Sequence, residues 1–154
     1  MDYVRAHLPG FENCYMLDVA SQMGVRQTRL LEGEYVMTKE DVTSRRHFAD
    51  TVARGRAYYY PFRSLLPKEV DQLLVAGRHY SATPEAQKMS REIPPCMAMG
   101  QAVGVAAALA IQNGTLVRDV SALDIQQCMR RHGADPGDVP SSNATLDVDA
   151  VVGA

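Results

Sequence analysis

Leu73-Leu74-Val75-Ala76-Gly77-Arg78 is followed, after a polar stretch, by Pro94-Pro95-Cys96-Met97-Ala98-Met99-Gly100-Gln101-Ala102-Val103-Gly104. The first run is short and continuously apolar between Asp71 and Gly77, the pattern of a strand buried on both faces of a parallel sheet. The second opens with two prolines, which suit the first turn of a helix. It predicts an Ala-rich helix over about residues 96–112, ended by Asn113-Gly114. Strand, polar loop and helix in that order predict an α/β fold. Ligands on open parallel sheets bind beyond the carboxyl ends of the strands. A glycine there lets a ligand approach the backbone, and a helix N-terminus offers free N–H groups and a positive dipole end. The same residues also fit a plain turn and a closely packed helix, and the pattern alone leaves both readings open.

Working outward, residues 2–8 read as the end of a helix stopped by Pro9-Gly10. Residues 25–35 mix β-branched, aromatic and charged side chains and predict a strand pair or a bent strand, with Gly33 at a turn or bulge. Thr38 is a candidate N-cap with Asp41 three residues on, opening a helix expected over residues 39–54 and ended by Gly55. Tyr58, Tyr59 and Tyr60 lie in an extended stretch, and residues 83–91 read as a short helix or an ordered loop. Ser121 caps a last amphipathic helix to about His132, with Leu123, Ile125 and Met129 as apolar positions. Residues 135–154 are rich in Pro, Gly, Ser and Asp and are expected to be a loose tail.

Composition narrows the function class. The 154 residues are 46% hydrophobic and 22% charged, an ordinary balance for one domain with a core. Sixteen basic against 18 acidic residues give a net charge of −2, with no basic excess to point to nucleic acid or an anionic membrane. Cys14, Cys96 and Cys128 form no CxxC pair and no disulfide framework, so a reducing, cytoplasmic setting is expected. The first ten residues lack the apolar core of a signal peptide. Residues 93–111 are nearly free of charge, but Ala and Gly dominate them, so a buried helix is a better reading than a membrane span. His7, His47, His79 and His132 have no ligand spacing with one another or with cysteine, so no metal site is expected.

Several separated motifs resemble a family of FAD-dependent oxidoreductases. Arg63-Ser64-Leu65-Leu66-Pro67-Lys68 leads to residues 73–78, then to Ser81-Ala82-Thr83 and Glu85-Ala86, then to Arg91 and to Pro95-Cys96-Met97-Ala98-Met99-Gly100-Gln101-Ala102 with Gly104. Upstream, Pro9-Gly10-Phe11-Glu12-Asn13, Gly24-Val25-Arg26-Gln27-Thr28-Arg29 and Gly33-Glu34-Tyr35 are similar to it too. The resemblance covers about residues 1–134 and points to the two-dinucleotide-binding-domain flavoproteins, related in fold to the fumarate reductase flavoprotein.

The resemblance implies FAD as cofactor and hydride transfer between flavin and a small carbon substrate. Residues 63–134 would be the C-terminal part of an FAD-binding Rossmann-like domain, and residues 1–62 part of a substrate-covering cap. Ala76, Gly77 and Arg78 would lie near the ribityl chain or pyrophosphate. Pro95, Cys96 and Met97 would begin the helix aimed at the pyrimidine edge of the flavin, and Gly100, Gln101 and Ala102 would give close backbone approach. Arg91 would orient a substrate carboxylate or stabilise an oxyanion; a surface arginine capping a loop is the competing reading. His79 is the candidate proton relay. Salt bridges are the ordinary expectation for Arg26 and Arg29. Cys96 at a helix start is a candidate for a lowered thiol pKa or for plain packing.

The sequence departs from the family in two places. Pro84 and Lys88-Met89 stand where a polar and then a more neutral stretch are expected. No G-x-G-x-x-G occurs, so the pyrophosphate-binding βαβ unit is absent from these residues. The chain therefore reads as a C-terminal portion that needs an N-terminal half, from a second chain or a longer gene product, or else self-associates. The alternatives are a non-catalytic remnant or binding module that keeps the fold without FAD, and an unrelated small α/β domain.

Overall fold

Thr38 and Asp41 set the first well-anchored turn of the chain. In the computed structural model, which describes residues 1–146, the Thr38 Oγ1 accepts from the Asp41 amide at 3.2 Å, and the Asp41 carboxylate accepts from the Thr38 amide at 2.8 Å. This is a reciprocal capping box with Asp in the usual Glu place. Asp41 is buried and also takes the Tyr35 hydroxyl at 2.9 Å and Arg46 at 3.3 Å, so no oxygen of the carboxylate is left unpaired.

The elements in chain order are α1 (Asp2–His7), α2 (Lys39–Thr43), β1 (Arg46–His47), β2 (Thr51–Arg54), β3 (Tyr59–Pro61), α3 (Pro84–Met89), α4 (Ile93–Asn113), α5 (Ala122–Arg131) and β4 (Thr145–Leu146). The fold is thus mixed α/β with small sheets. β2 and β3 form an antiparallel hairpin, with Ala53 opposite Tyr60, Arg54 opposite Tyr59 and an irregularity between Thr51 and Ala53. β1 and β4 pair in parallel, Arg46 with Thr145 and His47 with Leu146.

The helix expected over residues 39–54 stops after α2. Arg45 turns into the left-handed region at φ 56, and Thr51, Val52 and Ala53 are all buried in sequence. A helix could bury only one stripe of that run, whereas a strand covered on both sides buries all three, and β-branched Thr51 and Val52 suit it. The strand expected at residues 73–76 is also absent. The segment carries no regular secondary structure; its Val75 amide reaches only the Leu65 carbonyl at 2.9 Å, and Leu73 is 46% exposed. No second strand flanks it among the described residues, so no ladder forms. The same holds for residues 25–35. Gly33 makes a single bridge to Pro67, and Met37 makes one to Ala82. Gly33 is nonetheless required, because a Cβ there would lie 2.7 Å from the Ser81 Cβ.

α4 and α5 follow the sequence closely. Pro94 and Pro95 sit in the first turn of α4, and Gly114 ends it in the left-handed conformation at φ 66. α4 is long and apolar enough, by length and composition alone, to cross a membrane. Here Met99, Ala102, Ala106 and Ala110 bury one stripe in the core, against β2 and α5. α5 adds Ile125 and Met129, while Leu123 stays 63% exposed. Ser121 occupies the N-cap of α5 without a side-chain bond. Residues on both sides of the expected 62/63 boundary share this core: Val42, Val52 and Tyr60 with Leu65, Tyr80, Met99 and Ile125.

Residues 135–146, expected to be loose, are tied down. The His47 ring bonds the Gly137 carbonyl at 3.1 Å, Arg54 pairs with Asp135 at 2.9 Å, and the Tyr59 hydroxyl meets Ser141 Oγ at 3.0 Å. Their polar composition serves specific bonds in place of solvation alone. Residues 147–154, the remainder of the expected tail, lie outside the described residues.

Candidate functional site

Gly77 ends the 73–76 segment with φ at +107, a conformation that L side chains rarely adopt. The turn it makes closes through the Tyr80 amide to the Gly77 carbonyl at 3.2 Å. Arg78 and His79 are thereby held out on the surface, while Tyr80 goes into the core. Ala76 is half-buried and packs on the core edge.

A buried amide fixes what lies opposite. Gln87 on α3 is fully enclosed. Its Nε2 donates to the Arg78 carbonyl at 2.9 Å and to the Arg26 carbonyl at 3.2 Å, and its Oε1 accepts from Gln27 Nε2 at 3.0 Å. One side chain therefore joins the Gly77 turn to the irregular segment of residues 25–29. Between them opens a cleft of about 370 Å³ lined by residues 25–29, Arg78, His79 and Gln87. A second cleft of about 360 Å³ adjoins it, sharing Arg26 and Arg78 and adding Lys88, Arg91, Glu92, Ile93 and Pro94 at the start of α4.

Arg26, Arg29, Arg78, Lys88 and Arg91 make no ion pair among the described residues, contrary to the salt bridges expected for Arg26 and Arg29. Among the other cations, Arg54 pairs with Asp135, Arg118 with Glu34 and Asp71, and Arg130 with Asp138, whereas Lys39, Arg45, Arg56 and Arg131 make no ion pair among the described residues either. The one carboxylate on the cleft wall, Glu92, accepts the Tyr58 hydroxyl.

A tyrosine cluster holds the approach to α4. Tyr60 stacks edge-on against Tyr58 at 5.6 Å and Tyr80 at 5.1 Å. The Tyr60 hydroxyl donates to the Ser90 carbonyl, and the Tyr80 hydroxyl meets Ser90 Oγ at 2.5 Å. Burial raises all three phenols well above their usual pKa. They are neutral clamps on residues 90–92, and so position Arg91 from behind.

α4 divides the remaining candidates by face. Met97 is 71% exposed, and Gly100, Gln101 and Gly104 are exposed beside it, with nothing within 4 Å of a Cβ built on either glycine. Pro95 and Ala102 lie on the buried face. The N-terminus is poorer in donors than expected. Pro94 and Pro95 have no N–H, and the Cys96 amide is spent on the Glu92 carbonyl at 3.3 Å, which leaves Ile93. The helix dipole remains. Cys96 is half-buried, and burial pushes its thiol pKa up in spite of the Arg78 charge, so the lowered value does not hold and packing is its role here.

The structure thus brings Arg78, His79 and Arg91 together with Arg26 and Arg29 around one basic opening, and sets Met97, Gly100 and Gln101 on a bare helix face beginning at its edge. Gln87 was missed, and no sequence signal marks it. Lys88 was visible only as a departure from the resemblance. Among the described residues no cluster of His, Cys, Asp and Glu could hold a metal.

A family described as FAD dependent oxidoreductase matches the chain over residues 1–59 and 54–129. No curated protein and no solved structure matches it.

Proposed function

The chain belongs to the FAD dependent oxidoreductase family, and from that membership we propose that it is the C-terminal portion of an enzyme that transfers a hydride between flavin and a small carbon substrate. The match across residues 1–129 is the observation that carries this reading. FAD is the cofactor of the family. Residues 63–134 form the C-terminal part of a Rossmann-like cofactor domain and residues 1–62 part of the cap, in a protein of the fumarate reductase flavoprotein type.

The residues present fit such a group. The unpaired cations suit a phosphate-bearing cofactor, and the bare face at Gly100 and Gly104 has room for a flat ring system or a packed strand. Bound FAD supplies the hydride chemistry itself. The protein's part is placement and charge. The positive end of α4, with the Ile93 amide, favours negative charge at the flavin edge. Arg91, held by the bonds on Ser90 and Glu92, orients a substrate carboxylate. His79 is exposed beside Arg78 and is the candidate group to move a proton. The three free cysteines accord with a reducing, cytoplasmic setting.

Tight FAD binding requires the G-x-G-x-x-G unit, which this sequence does not contain. A visible absorbance titration with FAD tests the proposal, on the chain alone and with a polypeptide carrying that unit. A resolved, shifted flavin band with the added half is expected. An unperturbed spectrum in both cases overturns it in favour of a non-catalytic module that keeps the fold without FAD.

A further inference from the structure

The two clefts described above share Arg26 and Arg78 as a common wall. Each lobe also has basic side chains of its own, Arg29 in one, where His79 lines the wall too, and Lys88 with Arg91 in the other. Five basic side chains therefore converge from two stretches far apart in sequence, residues 26–29 and residues 78–91. A protein does not gather like charges this way for stability, since each added cation raises the cost of the others. Arg54, Arg118 and Arg130 are matched by carboxylates, and the other cations without an ion pair among the described residues, Lys39, Arg45, Arg56 and Arg131, line neither cleft, so it is the convergence of the five that marks the site. Against these five stands a single carboxylate in the clefts, Glu92, whose Oε2 accepts the Tyr58 hydroxyl.

The framework is also built. Gln87, 1% exposed, spends both its Nε2 donors on the Arg26 and Arg78 carbonyls and fixes the spacing of the shared wall. A surface charge cluster on mobile loops would have no such buried brace.

We propose that the paired clefts are a recognition site for a small organic anion with an oxyanion group at each end. Arg29 and Lys88/Arg91 take the two ends, and Arg26 and Arg78 hold the middle. The guanidinium fork matches carboxylate and phosphate oxygens alike. As the substrate class of the enzyme, the inference rests on the function proposed above. As anion binding, it stands on the clefts themselves.

Calorimetric titration of the full chain, without flavin and at low salt, tests it, with glutarate and pyrophosphate as probes and acetate as the singly charged control. Saturable 1:1 binding of a doubly anionic probe is expected, at least roughly tenfold tighter than acetate. Arg26→Gln and Arg29→Gln, both at exposed positions, should each weaken it by about tenfold. Arg131→Gln, an exposed arginine on α5, should leave it unchanged. No saturable binding, or equal weakening by the α5 substitution, overturns the site and assigns the effect to general charge. Repeating the titration with FAD and a polypeptide carrying the G-x-G-x-x-G unit, where a shifted flavin band shows FAD bound, identifies the source of the anion. Competition means that the cofactor phosphates occupy the clefts, and independence means that a separate substrate does; both retain the site. Failure of FAD to bind at all would leave the anion result intact, so the two proposals fail separately.

Discussion

Cys96 shows how a single residue's environment overrides its position. A thiol at a helix start is expected to ionise easily, because the dipole and a nearby arginine favour the thiolate. In this chain the two prolines remove most of the N–H donors there, and packing under α4 desolvates the sulfur. Burial is the largest influence, and it pushes the pKa up from an already high value. At pH 7.5 the thiolate is therefore scarce. Iodoacetamide should label Cys96 more slowly than it labels a free cysteine in a short peptide, with the rate rising steeply above pH 9, as followed by mass spectrometry of the peptide that contains it. Faster labelling than the peptide would place Cys96 among activated thiols.

At the scale of elements, α4 carries two opposite faces on one sequence. Met99 is fully buried and Ile111 is 83% exposed. Met99→Ala should cost about 2–5 kcal/mol through lost contacts and the cavity left behind. Ile111→Ala should stay within about 0.5 kcal/mol, and urea denaturation of the two variants reads the difference. Such elements were legible where the signal is local. The proline start and Asn113-Gly114 stop of α4 and the Thr38–Asp41 box each depend on neighbours within a few residues, whereas residues 83–91 were left between a short helix and an ordered loop although Thr83 caps α3 and Pro84 opens it. The strand β2 was not legible as such, because Thr51, Val52 and Ala53 owe their conformation to burial by α4 and α5 from far along the chain. Residues 73–76 have the composition of a core strand, yet composition cannot supply the neighbouring strands that a ladder needs. The candidate site divides in the same way. Arg26, Arg29, Arg78 and Arg91 could be singled out as charges. Their lack of partners, and the Gln87 brace that spans 61 residues to Arg26 and nine to Arg78, depend on tertiary placement that no spacing rule encodes.

Across the whole molecule, one of the contacts that fasten residues 135–146 to the sheet region is sensitive to pH. His47 is buried edge-on against Tyr59 at 4.8 Å and bonds the Gly137 carbonyl at 3.1 Å. Burial lowers its pKa, and the Gly137 bond offsets only part of that. The native state therefore prefers the neutral ring. When the chain unfolds, the ring regains its ordinary value near 6.5 and takes up a proton more readily than the native form. The stability it contributes is full above that value and is lost as pH falls from about 6.5 toward the lower native pKa. The urea midpoint should fall between pH 7.5 and 5.5, and His47→Gln should flatten the fall. An unchanged slope in the variant would assign the acid sensitivity to other groups.

The tyrosine cluster at the start of α4 has an optical consequence. The chain contains seven tyrosines and no tryptophan, so its near-ultraviolet absorbance and emission come almost entirely from phenol rings. Tyr58, Tyr60 and Tyr80 are enclosed and resist ionisation, whereas Tyr3 and Tyr15 stand in water, 72% and 73% exposed. In alkali the enclosed rings turn to phenolate only as the core opens. Their share of the colour change in base thus reports, without any attached dye, whether the scaffold behind Arg91 is still closed.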